Sequence, residues 1–80
     1  MITVEVRLYA TLRKYYPSLG IGEPMVITLD DKAGLGNLFG ELKIPKGEIK
    51  IVLVNGKREE ESYLLKDRDR IGIFSPIGGG

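Results

Sequence analysis

Residues 34–45 read GLGNLFGELKIP, and here the apolar residues leave the period of two that governs their neighbours. Leu35, Leu38, Phe39 and Leu42 fall at i, i+3, i+4 and i+7, the stripe of an amphipathic helix. Gly34 stands at the N-cap, and Pro45 closes the segment because the residue before a proline is driven out of the helical region. Gly36 and Gly40 each weaken the helix by about 1 kcal/mol relative to alanine. Packing, not intrinsic propensity, must therefore hold it.

Strands are expected on both sides of this helix. ITVEVRLY at 2–9 alternates without a fault, with Ile2, Val4, Val6 and Leu8 on one face and Thr3, Glu5, Arg7 and Tyr9 on the other. ATLRKYYPSLGIGEP at 10–24 predicts a short helical turn before Pro17 and then a glycine-rich loop. MVITLD at 25–30 predicts a second strand with Ile27 and Leu29 inward. Beyond the helix, EIKIVLVNGK at 48–57 is apolar on both faces, Ile49, Ile51 and Leu53 against Val52 and Val54, which predicts a central place in the sheet. Asn55-Gly56 signals a type I′ turn. KREEES at 57–62 reads as a solvated run or exposed edge, YLL at 63–65 as a short strand, KDRD at 66–69 as a turn and RIGIF at 70–74 as the last strand.

The resulting order, β-β-α-β-β-β, predicts an α+β roll. Its mixed sheet of about four or five strands carries one main helix across one face, because one helix cannot cover both. Eighty residues suffice for one domain, expected over 1–75, with a flexible glycine-rich tail at 76–80.

Composition removes whole classes of chemistry. The chain has no cysteine and no histidine, so it holds no thiolate nucleophile, no Ser-His pair and no Cys or His metal site. A formal net charge of +1, with 12 basic residues scattered among 11 acidic ones, argues against nucleic acid as a partner. No apolar run reaches the length of a membrane span and no signal-peptide pattern opens the chain, so a cytoplasmic protein without membrane contact is expected. Glu59, Glu60 and Glu61 read as a solvated charge run. Tyr15 and Tyr16 beside Arg13 and Lys14 read as an amphipathic turn. No phosphate-cradling motif is present.

The end of the chain, IFSPIGGG at 73–80, asks for more. Ile71 and Ile73 lead through Phe74 and Ser75 into Pro76 and Ile77, and Pro76 restricts local freedom, so the last residues are expected to project outward. Composition alone leaves two readings: a loose end, or a side-chain-free segment that threads a partner's narrow channel. Five extended residues span about 16 Å. At their end is a free α-carboxylate, the one reactive group the chain delivers.

The element order resembles the β-grasp, or ubiquitin-like, fold. VRLYATLRKY at 6–15, LFGEL at 38–42, VLVNGK at 52–57 and LLKDRDRIGIFSPIGGG at 64–80 resemble the MoaD/ThiS sulfur-carrier family, on the side of the molybdopterin synthase small subunit (MoaD). That resemblance implies a protein co-substrate with no turnover of its own. Gly80 would be the carrier residue, activated as an acyl-adenylate and converted to a thiocarboxylate. The chain itself binds no cofactor; ATP is used by the activating enzyme. The implied partners are a MoeB/ThiF-like adenylating enzyme, a persulfide donor such as a cysteine desulfurase, and the MoaE-like large subunit of molybdopterin synthase. Tyr9, Phe74, Pro76, Ile77, Gly78 and Gly79 would meet those partners. The same resemblance admits a ubiquitin-like modifier joined through Gly80 to lysines, or a carrier for thiamine or tRNA thiolation. A plain β-grasp binding module is the competing class.

Four positions depart from the family pattern. Ser75-Pro76 replaces a common Pro-Pro, which predicts a looser tail. Arg68 stands where glycine is usual, so that turn must avoid positive φ or bear strain. Arg58 lies near an interface position that is often apolar. Gly78 replaces another small residue.

Overall fold

The perfect alternation of the first segment makes β1 (Ile2–Tyr9), whose even-numbered residues Ile2, Val4, Val6 and Leu8 are buried. The computed structural model describes residues 1–20 and 22–75. A 3-10 helix at Ala10–Tyr15 follows, then β2 (Met25–Leu29), α1 (Leu35–Leu42), a 3-10 turn at Lys46–Glu48, β3 (Ile51–Val54), β4 (Lys57–Arg58) and β5 (Arg70–Phe74). Among the described residues these strands form one five-stranded mixed sheet in the order β2-β1-β5-β3-β4. The expected 76–80 tail, with Pro76, Ile77, Gly78, Gly79 and Gly80, lies outside the described residues.

β1 pairs antiparallel with β2, Val4 opposite Ile27, and parallel with β5, Leu8 opposite Ile73. β5 pairs antiparallel with β3, Val52 opposite Ile73. The last strand among the described residues, β5, is therefore the central one. β3 lies between β5 and the two-residue β4, so the central place predicted for β3 is corrected. Its outward Ile51 and Leu53 are only half-buried, because among the described residues no second layer covers that face.

Leu35, Leu38, Phe39 and Leu42 of α1 pack onto Val4, Val6, Leu8, Leu29, Val52, Ile71 and Ile73 of the other face. Each fully buried side chain of this size contributes about 1.5–3 kcal/mol, enough to hold an eight-residue helix whose glycines do not favour it. Gly34 is the N-cap, as its position predicts, and its amide donates to Asn37 Oδ1 at 2.8 Å. At the other end Lys43 takes φ 60°, and the Ile44 amide reaches back to the Phe39 carbonyl at 3.2 Å. That left-handed closure ends the helix two residues before Pro45.

YLL at 63–65 does not form a strand; Leu64 makes a single bridge to Gly34. The segment serves the helix instead. Leu35 N–H donates to the Tyr63 carbonyl at 3.0 Å and Gly36 N–H to that of Glu61 at 3.3 Å, which satisfies amides that no capping side chain reaches. The edge strand falls earlier, at Lys57–Arg58, directly after the expected turn. Asn55 at φ 52° and Gly56 at φ 85° supply the two positive dihedrals of a type I′ hairpin. Arg68 also accepts a positive φ, 72°, where avoidance was the alternative.

One buried carboxylate ties these turns together. Asp69 is 4% exposed and accepts from Asn55 Nδ2 (2.9 Å), Lys66 N–H (2.9 Å) and Tyr63 OH (3.2 Å). No helix among the described residues is long and apolar enough to cross a membrane.

Candidate functional site

Side chains alternate across a strand, so the residues that do not meet α1 share the uncovered face of the sheet. Tyr9 closes β1 and Phe74 closes β5, and the parallel register places them directly opposite one another. Their rings stack with centroids 4.6 Å apart and planes 9° from parallel. Neither belongs to the buried core; both are half-buried.

Gly72 makes room for the stack. A Cβ at this position would lie 3.3 Å from the Tyr9 ring and 3.6 Å from that of Phe74, closer than a side chain comfortably approaches the first. The two rings thus lie over β5 rather than standing away from it. Leu53 and Ile51 continue the apolar strip across β3, which pairs Ile51 with Phe74 and Leu53 with Gly72. Arg7 and Arg70 line the shallow depression formed by Tyr9, Leu53, Gly72 and Phe74. Arg7 is braced by Glu5 at 3.3 Å and by the Gly22 carbonyl at 3.1 Å. Arg58, opposite Leu53 on β4, adds a further guanidinium at the rim. An apolar centre with a polar border is the anatomy of a protein interface.

The end of β5 is held from both sides. Phe74 pairs with Tyr9 and Ile51, and its carbonyl accepts from Lys50 N–H at 2.8 Å. Ser75 is only 3% exposed, and its Oγ accepts from the Thr11 amide at 3.3 Å and meets Thr11 Oγ1 at 2.9 Å. Ser75 itself is fastened, through a partner 64 positions away; the tail that it was expected to loosen lies outside the described residues.

Other sequence candidates fall elsewhere. Tyr15 and Tyr16 pack against the core and bond Glu48 and the Leu42 carbonyl, the amphipathic turn that was expected. Lys14 beside them is held above the ordinary lysine value by its hydrogen bond to Glu48. Glu61 pairs with Lys46 at 2.6 Å. Among the described residues no group of three acidic side chains is arranged to hold a metal ion. Sequence reasoning placed Tyr9 and Phe74 but missed Gly72, Ile51, Leu53 and Thr11. The signal for Ile51 and Leu53 was present, as apolar residues on the outward face of an alternating strand.

A family model described as Mut7-C ubiquitin matches residues 1–77. No curated protein matches. Among solved structures, subunit 1 of a molybdopterin converting factor from Pyrococcus furiosus superposes with TM-score 0.76 at 24% identity, covering 96% of this chain and all of that one. The small archaeal modifier protein 1 of Methanosarcina acetivorans gives TM-score 0.65 at 25% identity, covering 100% of this chain and 98% of that one. Subunit 1 in a complex of subunits 1 and 2 of the molybdopterin-converting factor from Helicobacter pylori gives 0.63 at 22%, covering 99% and 100%. The expected ubiquitin-like β-grasp is the fold of this chain.

Proposed function

As the chain belongs to the Mut7-C ubiquitin family, in the wider MoaD/ThiS-like group, we propose that it carries sulfur as a thiocarboxylate on Gly80. Its role is that of a sulfur carrier or ubiquitin-like protein. In the finer reading it is the small subunit of a molybdopterin synthase, with a MoaE-like large subunit as partner. The observation that carries the reading is the stacked Tyr9–Phe74 pair on an uncovered sheet face, beside the fastened end of the last strand.

The division of labour follows from the chain's own composition. With neither cysteine nor histidine it supplies no thiolate nucleophile and no imidazole base. Its part is to dock and to present a carboxylate. An adenylating partner joins a Gly80 carboxylate oxygen to the α-phosphorus of ATP, and pyrophosphate leaves. A persulfide donor attacks the acyl carbon and AMP leaves; a thiol then cleaves the acyl disulfide to give the thiocarboxylate. Activation is required because a carboxylate is a poor electrophile until one oxygen becomes part of a leaving group.

A second reading shares the first step. If a lysine amine takes the activated acyl group, the product is an isopeptide and the chain is a protein modifier. Its likeness to a small archaeal modifier protein favours that branch. Intact mass after incubation with ATP, a MoeB/ThiF-like enzyme and a cysteine desulfurase with cysteine decides between them. Exchange of one oxygen for sulfur supports the carrier, and lysine-linked conjugates support the modifier. An unchanged mass with no conjugates overturns both.

A further inference from the structure

The bonds between Ser75 and Thr11 extend the hold on the chain one residue past the sheet. The ladder on both sides of β5 stops at Phe74, where β1 ends at Tyr9 and β3 begins at Ile51. Ser75 would be the first free residue if strand pairing were the only restraint. Instead it is buried to 3% exposure, sharing that status with Asp69 alone among the buried polar residues described. Its Oγ meets Thr11 N–H at 3.3 Å and Thr11 Oγ1 at 2.9 Å. Ala10, the residue between Tyr9 and Thr11, takes φ 57°. A left-handed alanine costs conformational energy, and it lies at the bend that takes the chain from β1 to the partner of Ser75.

We propose that Ser75 and Thr11 form a positioning clasp that sets the point and direction from which the reactive end leaves the domain. The proposal rests on the carrier reading. Neither residue touches the reacting atoms. Five residues, Pro76–Gly80, follow Ser75 in the sequence before the carboxylate of the carrier reading. Each further freed residue multiplies the conformations that must be lost before the carboxylate reaches its target. The clasp therefore acts on the rate at which the docked carboxylate attacks the α-phosphorus of ATP and releases pyrophosphate. Docking itself falls to the face carrying Tyr9 and Phe74.

The test measures pyrophosphate release by a MoeB/ThiF-like enzyme, with the full chain as substrate, for wild type, Ser75→Ala, Thr11→Ala and Thr11→Ser. Ser75→Ala is expected to lower kcat about tenfold, the effect of freeing one residue, with KM unchanged. Thr11→Ala, which keeps its amide donor, falls between; Thr11→Ser, which keeps both donors, matches wild type. Backbone amide relaxation of Phe74 and residue 75 should report added mobility only in the slowed variants. If Ser75→Ala does not fold, the Thr11 pair carries the same comparison. Equal kcat in all four chains overturns the clasp while leaving the carrier reading intact, and so does a rise in KM at constant kcat. No pyrophosphate release from wild type overturns both.

Discussion

Tyr9 and Phe74 are cross-strand neighbours in a parallel pair, and their rings lie flat on one another at 4.6 Å outside the core. A stacked aromatic pair on an open sheet face contributes little to the buried interior and much to whatever covers it. Phe74→Ala is therefore expected to weaken binding to a MoaE-like partner by about 1–2 kcal/mol, measured by titration calorimetry. Stability should fall by less. A large loss of melting temperature with unchanged affinity would instead make Phe74 a structural residue.

Gly72 sits beneath that pair. The methyl group of Gly72→Ala meets the Tyr9 ring at 3.3 Å, so the ring must move by a few tenths of an ångström or tilt away. Expected are changed ring-proton shifts for Tyr9 and Phe74 and weaker partner binding, at a stability cost of about 1 kcal/mol or less. Unchanged shifts would show that the stack does not depend on the missing side chain.

Asp69 gathers three donors from three separate turns. Asp69→Ala leaves the Asn55 amide, the Lys66 N–H and the Tyr63 hydroxyl without their acceptor. Urea unfolding should register a loss of about 2–4 kcal/mol. A loss below 1 kcal/mol would mean that water replaces the carboxylate.

Arg68 takes φ 72° with its side chain 92% exposed. Its backbone amide holds the Thr3 carbonyl at 2.7 Å, a bond any residue keeps. Arg68→Gly relieves the left-handed cost, partly offset by greater freedom in the unfolded chain, for a gain of about 0.5–1 kcal/mol. A lower melting temperature would show that the arginine side chain contributes more than its backbone conformation costs.

Deletion of Gly80 is expected to abolish the mass gain produced by ATP, an adenylating enzyme and a sulfur donor, with the melting temperature of the domain retained. Sulfur loading of the shortened chain would remove Gly80 from its proposed role.

The sequence made the elements legible where a local period or a short-range turn rule governs them. Val4, Val6 and Leu8 announce β1, the Leu35–Leu42 stripe announces the helix, and Asn55-Gly56 announces the hairpin. It misled where a long-range partner decides. YLL has the composition of a strand, yet its Tyr63 carbonyl accepts from the helix amide of Leu35 and its Leu65 amide donates to the Ala33 carbonyl, so the segment pairs with the start of the helix rather than with the sheet. The outward apolar residues of β3 suggested cover on both sides; their neighbours are instead the half-buried rings of β1 and β5. For the candidate site, Tyr9 and Phe74 were legible through resemblance. Ser75 was not, because its environment depends on Thr11, and nothing local to either residue encodes that meeting.

Because the last strand fills the middle of the sheet, β1 and β3 each wait for it with an open edge during synthesis. An unfinished chain cannot close its hydrophobic layer, and most of the pairing that completes it joins residues far apart in sequence. Folding is thereby tied to translation reaching Phe74. A fragment broken off earlier lacks β5, and with it the Phe74 ring that stacks on Tyr9, so it has no settled sheet face to present.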